Sequence, residues 1–427
     1  MADINNVNVR EMVVEMLLEV VRMGTHSHIL LKQVTDKYNY INEADKAWIK
    51  RVFEGTLERE ITLDYVLNKY SNTPVNKMKP YIRCLMRMSV YQLLYMDRVP
   101  DSAAINEAVK LAKKHKFVNL SGFVNGVLRK VAANKETCID TTDISVVYST
   151  PKFVVDSLIA DYGNAKTVEI LKGFLDERHL FVRIREDLSD DDRQAVIDEW
   201  DENNISHEVN DVISYAYELK NTDDLGRLEC FKKGFYTVQD VASMLVCERA
   251  GISPGDNVID VCAAPGGKSL HAVSKGAIVD SRDVSDRKVA LIEENIDRLN
   301  AKNITAKVWD ATVPDHESFE KADIVIADVP CSGLGVMGKK PDIKRNVTAE
   351  GFESIVVLQQ NIVDAVIDYV KPGGTLMYST CTLRKAENEE QVERIVNMHP
   401  DFQVESMETL FPCKDYDGFF IAKIRRR

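Results

Sequence analysis

The period of the apolar positions changes twice along the chain. Val9, Met12, Val13, Met16, Leu17, Val20 and Val21 recur at helical spacing, and residues 9–68 read as helices throughout. A helix is predicted over 43–59, with Ala47, Ile49, Val52, Phe53 and Leu57 as its buried side. Tyr81, Leu85, Met88, Tyr91, Gln92 and Leu94 predict another, and Asp101 or Ser102 is expected to cap one that runs to Lys114. No convincing strand precedes about residue 145, so the first part is expected to be all-helical. From 146 the texture is mixed. Pro151 opens a helix ending near Gly163, Phe181 to Ile184 reads as a strand, and Ser189 or Asp190 starts a helix to Asn203. Residues 206–209 and 214–219 then alternate as strands do. From 236 strands and helices take turns. Strands are predicted at Val258 to Val261, around Ala277 to Val279, at Thr305 to Val308, at Ile324 to Ala327 and at Gly374 to Tyr378. Helices are predicted at Lys288 to Leu299 and Ile355 to Val370. Such alternation implies a parallel sheet covered on both faces, with ligands beyond the carboxyl ends of its strands. The expected division is therefore a helical domain (1–145), a small α+β subdomain (146–235) and an α/β domain (236–427).

Composition narrows the class without naming it. The chain has 427 residues, 45% of them hydrophobic, and 55 Lys and Arg against 67 Asp and Glu, a net charge of -12. This suits a folded soluble protein and excludes a disordered or collagenous one. No run approaches the ~18 apolar residues of a membrane span, and residues 1–10 have no apolar core of a secretory signal. Eight cysteines (84, 138, 230, 247, 262, 331, 381 and 413) show no paired CxxC spacing. Neither a disulfide framework nor a metal cluster is expected, and reduced thiols in a cytoplasm are. Charge is distributed unevenly. Residues 65–135 carry thirteen basic side chains (Lys69, Lys77, Lys79, Arg83, Arg87, Arg98, Lys110, Lys113, Lys114, Lys116, Arg129, Lys130, Lys135) and three acidic ones. A solvated helical surface is the commoner reason for such a run; an anion-binding face for RNA phosphates is the sharper one.

Candidate chemistry falls at the predicted strand ends. Cys262, Ala263, Ala264, Pro265, Gly266, Gly267 and Lys268 make a strand-to-helix turn in which small residues let a ligand approach the backbone. The helix start beyond them offers unpaired N–H groups to a carboxylate. The run is neither GxGxxG nor GxxxxGK[ST], so a dinucleotide or ATP lacks its fingerprint. Asp283 and Asp310 follow the next two strands. Either alone is as well explained as a helix cap. Together with the glycine turn they suit one adenosyl ligand, Asp283 at the ribose hydroxyls and Asp310 at the adenine amino group. With no basic phosphate clamp evident, S-adenosylmethionine fits best.

Two thiols lie beyond the last two predicted strands, Cys331 in Asp328-Val329-Pro330-Cys331 and Cys381 in Ser379-Thr380-Cys381-Thr382. A single free cysteine is more often a small buried hydrophobe. Two at adjacent strand ends reverse those odds. Carbon-5 of a pyrimidine is a poor nucleophile until a thiolate adds to carbon-6 and makes it enamine-like, which splits one hard step into two. A second polar group then assists loss of the carbon-5 proton. Asp328 is placed to bind the pyrimidine edge near N3, where charge develops.

These runs resemble the Sun/NOP-type RNA cytosine-5 methyltransferases. The matching segments are C-A-A-P-G-G-K at 262–268, D-x-P-C at 328–331 and S-T-C-T at 379–382. Q-D-V-A-S at 239–243, P-D-I-K at 341–344 and D-G-F-F at 417–420 complete the set. Val329 stands where the family usually has alanine, and Thr382 where it usually has serine. The resemblance implies a Rossmann-like class I S-adenosylmethionine-dependent fold, with Cys381 as nucleophile, Cys331 assisting product release and Asp328 orienting the cytosine. It implies that residues 262–268, Asp283, Asp310 and Asp328 hold the cofactor, with Lys268 turned toward the substrate. Arg10, Leu17, Asp45, Trp48, Gly55-Thr56-Leu57 and 122–129 resemble the NusB-type helical RNA-binding domain. Its fusion to such a core resembles the bacterial branch acting on 16S rRNA, by resemblance at cytosine 967. The implied partner is a single-stranded or loop cytosine of 16S rRNA, taken out of its stack. The protein is expected to be a cytoplasmic monomer with no membrane partner. Methylation of tRNA or 23S rRNA is the alternative within the chemistry. A non-catalytic NusB-like RNA-binding factor is the alternative outside it, and the intact cysteine pair argues against that.

Overall fold

A computed structural model describes residues 8–38, 40–176, 179–222 and 224–427. The chain divides into two compact units, Met1–Lys172 with Lys340–Asn346, and Gly173–Lys339 with Val347–Arg427.

The first unit is helical, and no strand occurs in it among the described residues. Its main helices are Val9–Met23, Ser27–Lys37, Glu43–Glu58, Glu60–Tyr70, Pro80–Tyr95, Asp101–Lys114 and Ser121–Ala133. Ser121–Ala133 buries one stripe, Val124, Val127, Leu128 and Val131, whereas Pro80–Tyr95 is buried almost all round. Asn8 caps the first helix by accepting from the Arg10 and Glu11 N–H groups, and Gly24 ends it in the left-handed conformation. The helix to Lys114 starts after Pro100 without a side-chain cap, so neither Asp101 nor Ser102 has the expected capping role. Gly55 allows a close approach, because a Cβ there would sit 2.1 Å from the Tyr91 hydroxyl. Arg10 stacks over Trp48 and donates to Gln92.

The segment Lys340–Asn346, which carries P-D-I-K, packs within this helical unit. Asp342 accepts from the Ser27 N–H at 2.7 Å, Lys344 donates to the Glu58 carbonyl at 3.2 Å, and Arg345 pairs with Glu60.

Among the described residues, eleven strands form two sheets in the second unit. Strands β1 (Leu180–Ile184), β2 (Ser206–Val209), β3 (Ala216–Lys220) and β4 (Tyr236–Val238) make an antiparallel sheet ordered β2-β3-β1-β4. The α+β region does not separate as 146–235. Its leading helical span, Lys152–Gly173, is two helices that meet at Gly163, where the first ends as expected, and lies almost wholly in the first unit. Its sheet is built into the second unit, because β4 pairs with β1 and buried Arg183 bonds Gln239 and Ser274.

The main sheet contains β5 (Asn257–Asp260), β6 (Ile278–Asp283), β7 (Ile304–Val308), β8 (Ala322–Asp328), β9 (Val370–Thr380), β10 (Phe402–Leu410) and β11 (Phe419–Arg426), ordered β10-β11-β9-β8-β5-β6-β7. It is mixed rather than parallel: β5 to β9 run parallel, whereas β11 lies antiparallel to β9 and to β10. A short connection returns the chain from β10 to β11, and only an antiparallel pair tolerates that. Nor is it covered on both faces throughout, since only a three-residue turn of 3-10 helix, His316–Ser318, joins β7 to β8. The central strand β8 is apolar almost without alternation, as burial on both faces requires. Among the described residues no helix is long and apolar enough to cross a membrane.

Candidate active site

The parallel strands end along one edge of the main sheet, and every predicted site residue lies at that edge. Between β5 and the helix Gly267–Ser274 the chain turns through 261–266. Gly266 sits at φ +99°, and a Cβ there would press on Ile292 at 3.3 Å. Asp260, the last residue of β5, is buried. Its Oδ2 accepts from the Ser269 hydroxyl at 2.7 Å, and its Oδ1 has no partner. Burial pushes this carboxyl up to about 7 against the pull of Ser269 and Lys268.

Beside this turn a cleft is lined by Val261, Cys262, Asp283, Trp309, Asp310, Pro330, Leu358 and other side chains. Asp283, at the end of β6, is buried. It accepts from the Ala264 N–H at 3.0 Å, from the Val284 N–H at 2.7 Å and from Lys288 at 2.9 Å. It thus fixes the glycine turn as well as lining the cleft. Of these donors Lys288 is a half-exposed side chain. Asp310 is exposed. The Thr312 backbone N–H and hydroxyl both donate to it and hold its carboxyl below the usual aspartate range. Cys262 lines the same cleft, and burial raises its thiol. Apolar walls with carboxylates at two strand ends suit an adenosyl group, and the unpartnered Asp260 oxygen suits a nearby positive group. A second, open groove is lined by residues of β5 to β7, among them Asp280, Arg282 and Lys307; none of the predicted residues lines it.

Asp328 ends β8 between the cleft and the cysteines. Its Oδ1 accepts from the Ser379 hydroxyl at 2.8 Å and its Oδ2 from the Lys268 ammonium at 2.6 Å. Burial pulls Lys268 down, but the charge and hydrogen bond of Asp328 outweigh it and leave the ammonium above the ordinary lysine value. Lys268 is thereby committed to Asp328 and also lies over the Phe419 ring at 5.5 Å.

The two thiols meet. Cys331 follows β8, Cys381 follows the adjacent β9, and their sulfurs lie 3.1 Å apart. The hydrogen bond with Cys381 and burial push the Cys331 thiol well above its ordinary value, which keeps its proton on. Of the remaining thiols, Cys84, Cys138, Cys230 and Cys247 are buried, and Cys413 is half-buried.

Sequence reading missed the residues that hold this pair. Ser332 and Thr382, each next to a cysteine, join their hydroxyls at 2.7 Å. Glu387, Asn388 and Gln359 reach the same two loops. Glu387 and Asn388 stand beside Glu389 and Glu390 in one run, and nothing in that run distinguishes the buried members from the solvated ones. Gly335 is a further unread position. Its N–H donates to the Cys381 carbonyl at 3.0 Å, and a Cβ on it would lie 1.9 Å from the Gly418 carbonyl oxygen.

The basic run of the helical unit is only partly free for anions. Arg87 is buried between Glu60 and Asp64, at 2.9 and 2.6 Å, and serves packing rather than an exposed face. Lys110, Lys114 and Lys135 pair with Glu107, Glu11 and Asp101. Lys77, Lys79, Arg98, Lys113, Lys116, Arg129 and Lys130 are exposed.

Comparison with known proteins agrees with this anatomy. Residues 251–425 match the model of the family described as 16S rRNA methyltransferase RsmB/F, and residues 7–133 match the NusB family. A probable ribosomal RNA small subunit methyltransferase B of Bacillus subtilis is 32% identical over 98% of this chain and 99% of its own length. Its counterpart in Synechocystis is 30% identical over 98% of this chain and 100% of its own. The crystal structure of PH0851 superimposes with a TM-score of 0.80 at 19% identity, covering 99% of both chains. That of NSun6 from Pyrococcus horikoshii with SFG gives 0.57 at 20%, covering 65% of this chain and 98% of the other. Both structures share the fold.

Proposed function

Because the chain belongs to the RsmB/F family of 16S rRNA methyltransferases, we propose that it methylates carbon-5 of a cytosine in 16S rRNA through a transient bond from Cys381 to carbon-6. The family's relatives are rRNA small subunit methyltransferases over essentially the whole length of this chain. S-adenosylmethionine supplies the methyl group as a sulfonium electrophile. Residues 262–268, Asp283 and Asp310 hold it in the cleft, with Asp328 at the border between cofactor and base.

The observation that carries the chemistry is the 3.1 Å approach of two thiols beside a fixed carboxylate at the strand ends. Cys381 loses its proton to solvent and adds to carbon-6 as a thiolate, and the electron pair displaced toward N3 takes a proton relayed through Asp328 from the Lys268 ammonium. Carbon-5 then takes the methyl group. Cys331, retained as a thiol in the resting pair, releases that proton to solvent once Cys381 is bonded to carbon-6, and its thiolate then takes the carbon-5 proton. As that proton leaves, the carbon-5–carbon-6 double bond reforms and Cys381 departs as a thiolate. By resemblance the target is cytosine 967 in a single-stranded or loop setting. The exposed cations of the helical unit supply phosphate contacts, and the protein acts as a monomer.

The test is direct. Labelled S-adenosylmethionine and unmodified 16S rRNA should yield one 5-methylcytosine on mapping. RNA binding without any methyl transfer would refute the proposal.

A further inference from the structure

Two consecutive buried residues, Glu387 and Asn388, grip the two cysteine loops separately. The Glu387 carboxylate, wholly buried, accepts from the Ser332 N–H at 2.8 Å, just past Cys331. Gln359 donates to the Pro330 carbonyl at 3.0 Å, just before Cys331, and also reaches Glu387 at 3.4 Å. The chain on both sides of Cys331 is therefore fastened to one polar pair. Arg384, stacked over Phe352 at 3.9 Å, donates to the other Glu387 oxygen at 3.0 Å and balances its charge.

Asn388 does the same for Cys381. Its Oδ1 accepts from the Thr380 hydroxyl at 2.5 Å and its Nδ2 donates to the Thr382 carbonyl at 3.1 Å, one bond on each side of the cysteine. The Tyr378 hydroxyl, from β9, donates to the Glu387 carbonyl at 2.6 Å and fixes the backbone that carries both side chains. The Ser332–Thr382 bond closes the ring between the two loops.

We infer that Glu387 and Asn388 are positioning residues that act through different cysteines, Glu387 through Cys331 and Asn388 through Cys381. One rigid backbone step thereby sets the separation of the two sulfurs. The inference rests on the proposed two-cysteine chemistry, and it assigns each half of that chemistry its own support. Loss of Glu387 frees the Cys331 loop, so release of the methylated base slows while bond formation continues. Loss of Asn388 frees the Cys381 loop, so formation of the bond itself slows. The Glu387 charge faces Cys331 and helps hold its proton. Its removal also moves the acid limb of the release step, which follows ionisation of Cys331, to lower pH.

Two measurements test this in the full-length protein. In the first, the protein–RNA adduct is followed on denaturing gels during single turnover. Glu387→Ala should accumulate adduct and release it at least tenfold more slowly, with KM for RNA and S-adenosylmethionine within about twofold of wild type. Asn388→Ala should form adduct at least tenfold more slowly. Glu387→Gln, which keeps an acceptor for Ser332, should recover much of the loss, and it serves if the alanine variant does not fold. In the second, without RNA, diamide oxidises the Cys331–Cys381 pair to a disulfide, the two thiol protons and electrons reducing the diazene to a hydrazine. Wild type should cross-link rapidly and both alanine variants at least tenfold more slowly. Equal loss of turnover in both variants with no change in adduct partition or diamide rate would overturn the inference. Failure of wild type to methylate any RNA would refute the proposed function instead, and the diamide rates would still score the clamp.

Discussion

Asp260 gives the most quantitative expectation. Its carboxyl moves from the ordinary aspartate value of 3.8 to about 7, chiefly because it is buried, with Asp328 adding repulsion and Ser269 and Lys268 opposing. In the unfolded chain it ionises near 3.8. The folded state thus retains a proton that the unfolded state has already lost, and stability falls as pH rises between those two values. At ~1.4 kcal/mol per tenfold change in proton affinity, the full effect is about 4 kcal/mol, and about 2 to 3 kcal/mol of it develops between about pH 5 and pH 8. Asp260→Asn keeps an oxygen for the Ser269 hydroxyl and removes the titration. Urea unfolding followed by tryptophan fluorescence, run for both proteins across that range, should show the variant gaining on wild type by about 2 to 3 kcal/mol toward high pH. A difference constant to within about 0.5 kcal/mol would refute the assignment of a protonated, desolvated Asp260.

Other expectations concern the site and the RNA face. Cys381→Ala should abolish methyl transfer and leave S-adenosylmethionine affinity within about twofold, measured by calorimetry. Cys331→Ala should accumulate a covalent protein–RNA band on a denaturing gel, and its absence would count against the release role. Gly335→Ala places a Cβ against the Gly418 carbonyl and near the Cys381 carbonyl, so transfer should fall at least about 100-fold while cofactor binding persists. The double change Lys113→Glu and Lys116→Glu, at two exposed lysines, should weaken RNA binding and flatten its salt slope by roughly 1 to 2, read from affinity against salt concentration.

The alternation of elements, the strand ends and the motif residues upon them are legible in the residues alone. Those features are local: a period of 3.6 or 2, a glycine where φ is positive, a small run at a turn. They sufficed to place Cys262 to Lys268, Asp283, Asp310, Asp328, Cys331 and Cys381 at one sheet edge, because parallel strands deliver their carboxyl ends together. Tertiary structure decided the rest. The antiparallel return of β10 and β11 depends on which edge is open after β9, and no local pattern encodes that choice. Arg87 counts as a positive charge in composition, but it is buried against two acids one turn apart on another helix, Glu60 and Asp64. Likewise P-D-I-K, one of the segments that carry the family resemblance, packs against helix ends more than 280 residues earlier, as Asp342 meets Ser27 and Arg345 meets Glu60. The 3.1 Å between the cysteines, 50 residues apart in sequence, follows from the neighbouring positions of β8 and β9 and from the Glu387–Asn388 clamp. Hydrogen bonds and charge act over a few ångströms of space, and sequence spacing fixes such distances only within a single element.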